Sequence, residues 1–153
     1  MMKLTAHFTL EELTASVTAQ ERGLNNTPPQ EFLPRLILVA QMLERIRVVL
    51  AAPIVVSSGY RSPEVNRAVG SKDTSDHPKG HAADFWAPQY GTPTAIAARL
   101  APMREELGIG QLILEGIRGK QWVHVSTQLP EKPINQVLTI TDAGPQPGIH
   151  QLA

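Results

Sequence analysis

Cysteine is absent from all 153 residues. That excludes disulfides, thiolate nucleophiles and Cys-type zinc sites together, so any metal must be held by His, Asp or Glu. Net charge is absent as well: 14 Lys and Arg balance 14 Asp and Glu, and with no basic surplus no nucleic-acid partner is expected. No apolar run approaches the roughly 18–20 residues that a bilayer span needs, so no membrane partner is expected either. MMKLTAHFTLEEL, at residues 1–13, has one lysine and no apolar stretch before its acids. It does not read as a secretory signal, which implies a protein made in the cytoplasm. There is no repeat, linker or low-complexity block. What is present is ordinary globular composition, 42% hydrophobic and 18% charged, at a length that fits one domain over residues 1–153.

Caps and breakers divide this chain. Thr9-Leu10-Glu11-Glu12 has capping-box spacing and predicts a short helix, whose next turns, ASVTAQERG, are stopped by Gly23. Thr27-Pro28-Pro29-Gln30 opens a long helix over residues 29–50. Leu33, Leu36, Ile37, Ala40, Leu43 and Ile46 recur at spacings of three and four and give it one apolar face. Pro34 should distort its first turns or move the start to near Glu31. Pro53 opens a strand, IVVSS, that ends at Gly59, and Ser62-Pro63-Glu64 caps a short helix through Ala68. A polar loop, GSKDTSDHPKG, leads to the strand HAADFWA. Thr92-Pro93 caps a helix interrupted at Pro102 and closed by Gly108. QLILEGI and QWVHVST read as strands joined near Gly119, with VLTIT as one more. Residues 142–153, DAGPQPGIHQLA, read as a Pro/Gly-rich surface tail. Helices and strands do not alternate regularly, which predicts an α+β fold with a mainly antiparallel sheet packed by several helices.

SDHPKGHAAD, at residues 75–84, puts two histidines and two aspartates into ten positions of a chain with five histidines. A catalytic zinc site commonly uses three protein ligands and leaves a position open. His77 in the loop and Asp84 on the strand offer two. His124, at the centre of WVHVS, offers a third from a distant strand. In HAADFWA, Ala82, Asp84 and Trp86 share one face, while His81, Ala83 and Phe85 share the other. A charged Asp inside an apolar strand must be solvated, paired or metal-bound. His81 stands four residues after His77, the spacing of a helical zinc pair. Pro78 and Gly80 lie between them and argue against a helix, and if Asp84 faces a metal, His81 faces away. The residues alone leave another reading open: His124 as a hydrogen-bonded core residue and Asp84 as an acceptor of backbone N–H groups. Asp73 and Asp76 read as loop charges.

Ser75-x-His77-x-x-Gly80-x-Ala82-x-Asp84, followed by Trp122-x-His124-x-Ser126, resembles the D-Ala-D-Ala carboxypeptidase and endolysin family of zinc peptidases. The segment SSGYRS, from Ser57 to Ser62, is similar to that family's stretch before the zinc loop. HFTLEEL and the NTPP helix start resemble its short, single-domain phage-type branch. The resemblance runs from about Phe8 to Ser126. It implies zinc on His77, Asp84 and His124, and a monomer that hydrolyses peptidoglycan stem peptides, either D,D- or L,D-bonds, at the cell wall after release from the cytoplasm. It implies that Arg61 stabilises the oxyanion, and it places Ser75, Tyr60 and Trp122 as candidate substrate contacts. The alternative is a zinc-binding structural or virion-assembly protein of the same fold without turnover.

Many relatives carry a Glu three residues before the last His ligand. Gln121 stands there and cannot take a proton. Glu105 and Glu106 read as a solvated helix end, and Glu131 as a loop residue. Glu115 in QLILEG is then the expected general base. A four-residue loop over 118–121, or a two-residue Gly119-Lys120 loop, would pair Glu115 directly with His124 on one face; a three-residue loop would turn Glu115 to the other face. The expectation is that Glu115 faces the metal.

Overall fold

The computed structural model describes residues 1–129 and 136–152. It is an α+β fold. The helices are α1 (Leu10–Thr14), α2 (Val17–Arg22), α3 (Leu33–Leu50), α4 (Pro63–Ala68) and α5 (Pro93–Leu100). The strands are β1 (Val55–Ser58), β2 (Ala82–Trp86), β3 (Ile109–Ile117), β4 (Lys120–Thr127), β5 (Gln136–Thr141) and β6 (Gly144–Pro147). They form one sheet in the order β1-β2-β4-β3-β5-β6. All neighbours are antiparallel except β3 and β5. Alternation separates the two faces of the sheet. Ala83 and Phe85 of β2, Leu112 and Leu114 of β3, and Val123 and Val125 of β4 join Val39, Leu43 and Ile46 of α3 and Ile96 and Leu100 of α5 in the buried core. The polar residues of the same strands face the other way.

Several local signals act as the sequence implies. Thr9 and Glu12 make a reciprocal capping box, and the hydroxyls of Ser62 and Thr92 cap α4 and α5. Pro34 falls in the first turn of α3, where a missing N–H breaks no helical bond; a 3-10 turn over Gln30–Phe32 leads in. The helix expected up to Gly23 is instead two. Tyr60 N–H donates to the Leu13 carbonyl at 2.7 Å, and Asn26 Nδ2 donates to the Thr14 carbonyl at 2.8 Å. The last carbonyls of α1 therefore serve the tertiary structure, and Ser16 caps α2 afresh.

Two expectations are corrected. The β3–β4 turn is Arg118-Gly119, both at positive φ (52° and 78°), with Ile117 paired to Lys120. This is the backbone a tight two-residue hairpin uses to match strand twist. Glu115 consequently pairs with Trp122, not His124, whose partner is Ile113. The displacement is two residues, so Glu115 keeps the face of His124. Residues 142–152 are also no loose tail. β6 adds an edge strand to β5, where prolines are tolerated. Thr139 Oγ1 donates to the Gly148 carbonyl at 2.8 Å, Asp142 accepts from Arg118 N–H, and Ile149 and Leu152 pack on the core. Glu131 lies outside the described residues.

Candidate active site

The site grows from one row across the sheet. Ser58 on β1 is level with Asp84 on β2, Asp84 with His124 on β4, and His124 with Ile113 on β3. All lie on the face turned away from α3 and α5. His77 comes from outside the sheet, on a 3-10 turn, His77–Lys79, that precedes β2. Ser75 Oγ accepts from the His77 N–H at 3.2 Å and shapes that turn, while Gly80 leaves it at φ 76°.

Three side chains then converge. His77 Nε2 lies 3.2 Å from Asp84 Oδ1, and His124 Nδ1 lies 2.9 Å from the same oxygen. All three offer ligand atoms within 4.8 Å of one another, and the group could hold a metal ion. They are 2%, 7% and 6% exposed for His77, Asp84 and His124. The donor set fits zinc: two imidazoles and one carboxylate, at separations suited to ligands roughly 2.0–2.2 Å from a common centre. The other nitrogen of His77 is also fixed. Its Nδ1–H donates to the Gly59 carbonyl at 2.6 Å, which leaves Nε2 as the ligand atom. Burial alone would raise the pKa of Asp84. The charges of His77 and His124 and their hydrogen bonds outweigh it and hold this carboxylate well below its usual range.

Gly59 explains part of the SSGYRS stretch. A Cβ there would sit 2.3 Å from the Leu13 carbonyl oxygen, a backbone atom at the end of α1. Gly59→Ala should therefore destabilise the fold by about 1–3 kcal/mol, read by urea denaturation, and loosen the His77 ring through its lost carbonyl position. An unchanged denaturation midpoint would contradict the packing argument.

Arg61 is held beside the group. Its Nε–H donates to Asn66 Oδ1 at 3.0 Å and its Nη1 to Ser58 Oγ at 3.2 Å, with Asp84 Oδ2 4.0 Å away. Asn66 is fully buried and also donates through Nδ2 to the Lys72 carbonyl at 2.9 Å, so it links α4, the loop that leads to His77, and Arg61. Sequence reading missed Asn66. Its only signal is a polar residue on the inward side of the short helix PEVNRA.

Glu115 reaches the same cleft from β3. Burial, then the neighbouring negative charge of Asp84, push its carboxyl up to about 7, against the opposing pull of His124 and Arg61. A cavity of about 760 Å³ joins Arg61, Ser75, Glu115 and Trp122 to the His77-Asp84-His124 group. Gln121 falls on the opposite side of β4 from His124 and is exposed, so even a Glu at that position in this strand would point away from the group.

Other assignments change. Tyr60 is no wall of the cleft: it is buried, with its ring edge-on to Phe32 at 6.2 Å. Asp76 is buried too, not a solvated loop charge, whereas Asp73 is exposed and paired with Arg67 at 3.3 Å. His81 stands outside the three-residue group. Its carbonyl accepts from Thr127 N–H at 2.9 Å and its N–H donates to the Asp76 carbonyl at 3.2 Å, which ties the start of β2 to β4. Glu105 and Glu106 are exposed.

The sheet presents two imidazoles and a carboxylate that could hold a metal ion to one open cleft, with a raised-pKa carboxyl and a guanidinium beside them. The family model for Peptidase M15 matches residues 6–126, and the chain belongs to that family. Peptidases of this family are zinc enzymes. Among curated proteins, none matches the chain.

Proposed function

We propose that the protein is a zinc-dependent hydrolase of peptide bonds in bacterial peptidoglycan stem peptides, acting as an endolysin of the phage or prophage type. The observation that carries this reading is the meeting of Glu115 and Arg61 with His77, Asp84 and His124 around one cavity. His77, Asp84 and His124 would hold the zinc, which would supply polarisation of the scissile carbonyl and a water whose pKa is lowered toward ~7. Glu115 accepts the proton of that water as its oxygen attacks the carbonyl carbon. It then delivers the proton to the departing nitrogen as the C–N bond breaks. Burial and the charge of Asp84 raise this carboxyl above its ordinary value, the direction that suits a group that must both accept and return a proton. Arg61, steadied by Asn66 and Ser58, donates to the carbonyl oxygen as negative charge builds there. Its place of action in this reading is the cell wall, reached after release from the cytoplasm.

Arg61→Lys keeps the charge and loses the planar fork that Asn66 and Ser58 hold. Its turnover should fall ~10²-fold or more while its zinc content stays that of wild type. Near wild-type hydrolysis would remove Arg61 from the transition state.

The function itself is tested by digesting purified sacculi and weighing the released muropeptides by mass spectrometry, with and without chelator. The expected result is one new amino terminus at a single stem position, lost with chelator. Intact stem peptides after treatment with zinc-loaded protein would favour a zinc-binding structural or virion-assembly protein.

A further inference from the structure

Trp86 is 45% exposed although β2 is an interior strand, flanked by β1 and β4, and its chain neighbours Phe85 and Ala87 are fully buried. It shares a face with Asp84, two residues away, and so lies on the side of the sheet that carries the site. Val55 pairs with Trp86, and Phe85 pairs with Val123. The next step along β2 and β4 thus brings Trp86 level with Trp122, which lines the cleft. The indole is held, not loose: Nε1–H donates to the Gly91 carbonyl at 3.0 Å, on the turn that carries Tyr90. Val55 and Tyr90 are exposed as well, at 55% and 37%. By strand register, Val55, Trp86 and Trp122 therefore form an apolar row across β1, β2 and β4 whose Trp122 end lines the cleft.

An isolated exposed apolar side chain needs no explanation, but a contiguous patch that continues a binding cleft does. Its flatness and fixed orientation suit one class of occupant. The C–H face of a pyranose ring is apolar and flat, and its hydroxyls point outward to water. An indole presents a broad polarisable face of matching size. In peptidoglycan every stem peptide is joined to a sugar, so a peptide drawn into the cleft carries a glycan strand to its edge.

We propose that Trp86, with its strand partner Val55 beside it, is a sugar-stacking subsite that holds the glycan strand while the attached peptide enters the cleft. This rests on the peptidoglycan reading above for its substrate, but its test separates the two. Glycan strands stripped of peptide by an amidase are immobilised, and retention is compared for the wild type, Trp86→Ala and Trp86→Leu. The leucine variant keeps apolar bulk, guards against a folding defect and removes the flat face. Both variants should lose retention. In parallel, hydrolysis is measured on a free stem peptide and on the same peptide bearing its disaccharide. The variants should match wild type on the free peptide and show about ten-fold higher KM on the disaccharide form. Equal retention of stripped glycan by all three proteins overturns the subsite, as does an equal loss on both peptide substrates. If the wild type cleaves neither peptide the hydrolase reading fails, and retention on stripped glycan still decides the subsite.

Discussion

Glu115→Gln should keep its fold and its zinc and lose cell-wall hydrolysis by ~10²-fold or more. The amide has the shape of the carboxylate but cannot take a proton from water. The variant also predicts a change in pH profile. A general base works ionised, so activity should fall as pH drops through the pKa of Glu115 and be retained above it. Burial and Asp84 set that pKa to about 7 in the metal-free chain. A bound dication would draw it lower, so the acid limb of kcat/KM should lie at or below about 7. The residual activity of Glu115→Gln should lack this limb. The metal-free protein provides a second readout. A group whose pKa is raised on folding stabilises the fold below its ordinary range, and that contribution is lost as pH rises through the raised value. Metal-free wild type should therefore weaken between mildly acidic and neutral pH, and metal-free Glu115→Gln should weaken less. An active Glu115→Gln, with an unchanged acid limb, would place the base elsewhere.

Loss of a ligand should be more severe still. His77→Ala and His124→Ala each leave two of three protein ligands around a common centre. Elemental analysis should show about one zinc per chain in wild type and none retained in either variant after dialysis. Hydrolysis should disappear with it. Wild type should also lose thermal stability on chelation, because the metal binds only the folded chain, and the two variants should show no such shift. His81→Ala is the control, since its side chain stands outside the group; it should keep zinc and activity. Full zinc retention in both His77→Ala and His124→Ala would refute the ligand set.

The parts of this molecule legible in its sequence are those decided locally or by periodicity. Thr9, Ser62 and Thr92 cap helices because their hydroxyls meet backbone donors three residues on. The two-residue period of β2 puts Asp84 on the face of His124 and Ala83 and Phe85 in the core. The face of Glu115 was legible for the same reason, since any even displacement of the hairpin preserves it. Its partner was not. The choice between a turn at Arg118-Gly119 and one at Gly119-Lys120 depends on twist and on Asp142 accepting from Arg118, a residue 24 positions away. Long-range partners also hid the break between α1 and α2, where Tyr60 and Asn26 claim the end carbonyls. Tyr60 itself sits one residue from Arg61 yet turns into the core against Phe32. The prolines of β6 disguised an edge strand as a tail, because only the pairing with β5 makes it a strand.

The central claim, that one zinc on His77, Asp84 and His124 turns this cleft into a peptidase, is tested most directly by titration. Metal-free protein is given zinc in small increments, and new amino groups released from purified sacculi are counted at each step. Hydrolysis should be absent without metal, rise in proportion to added zinc and level off at about one equivalent per chain. Hydrolysis that persists in the metal-free protein, or that never appears at any zinc level, would contradict it.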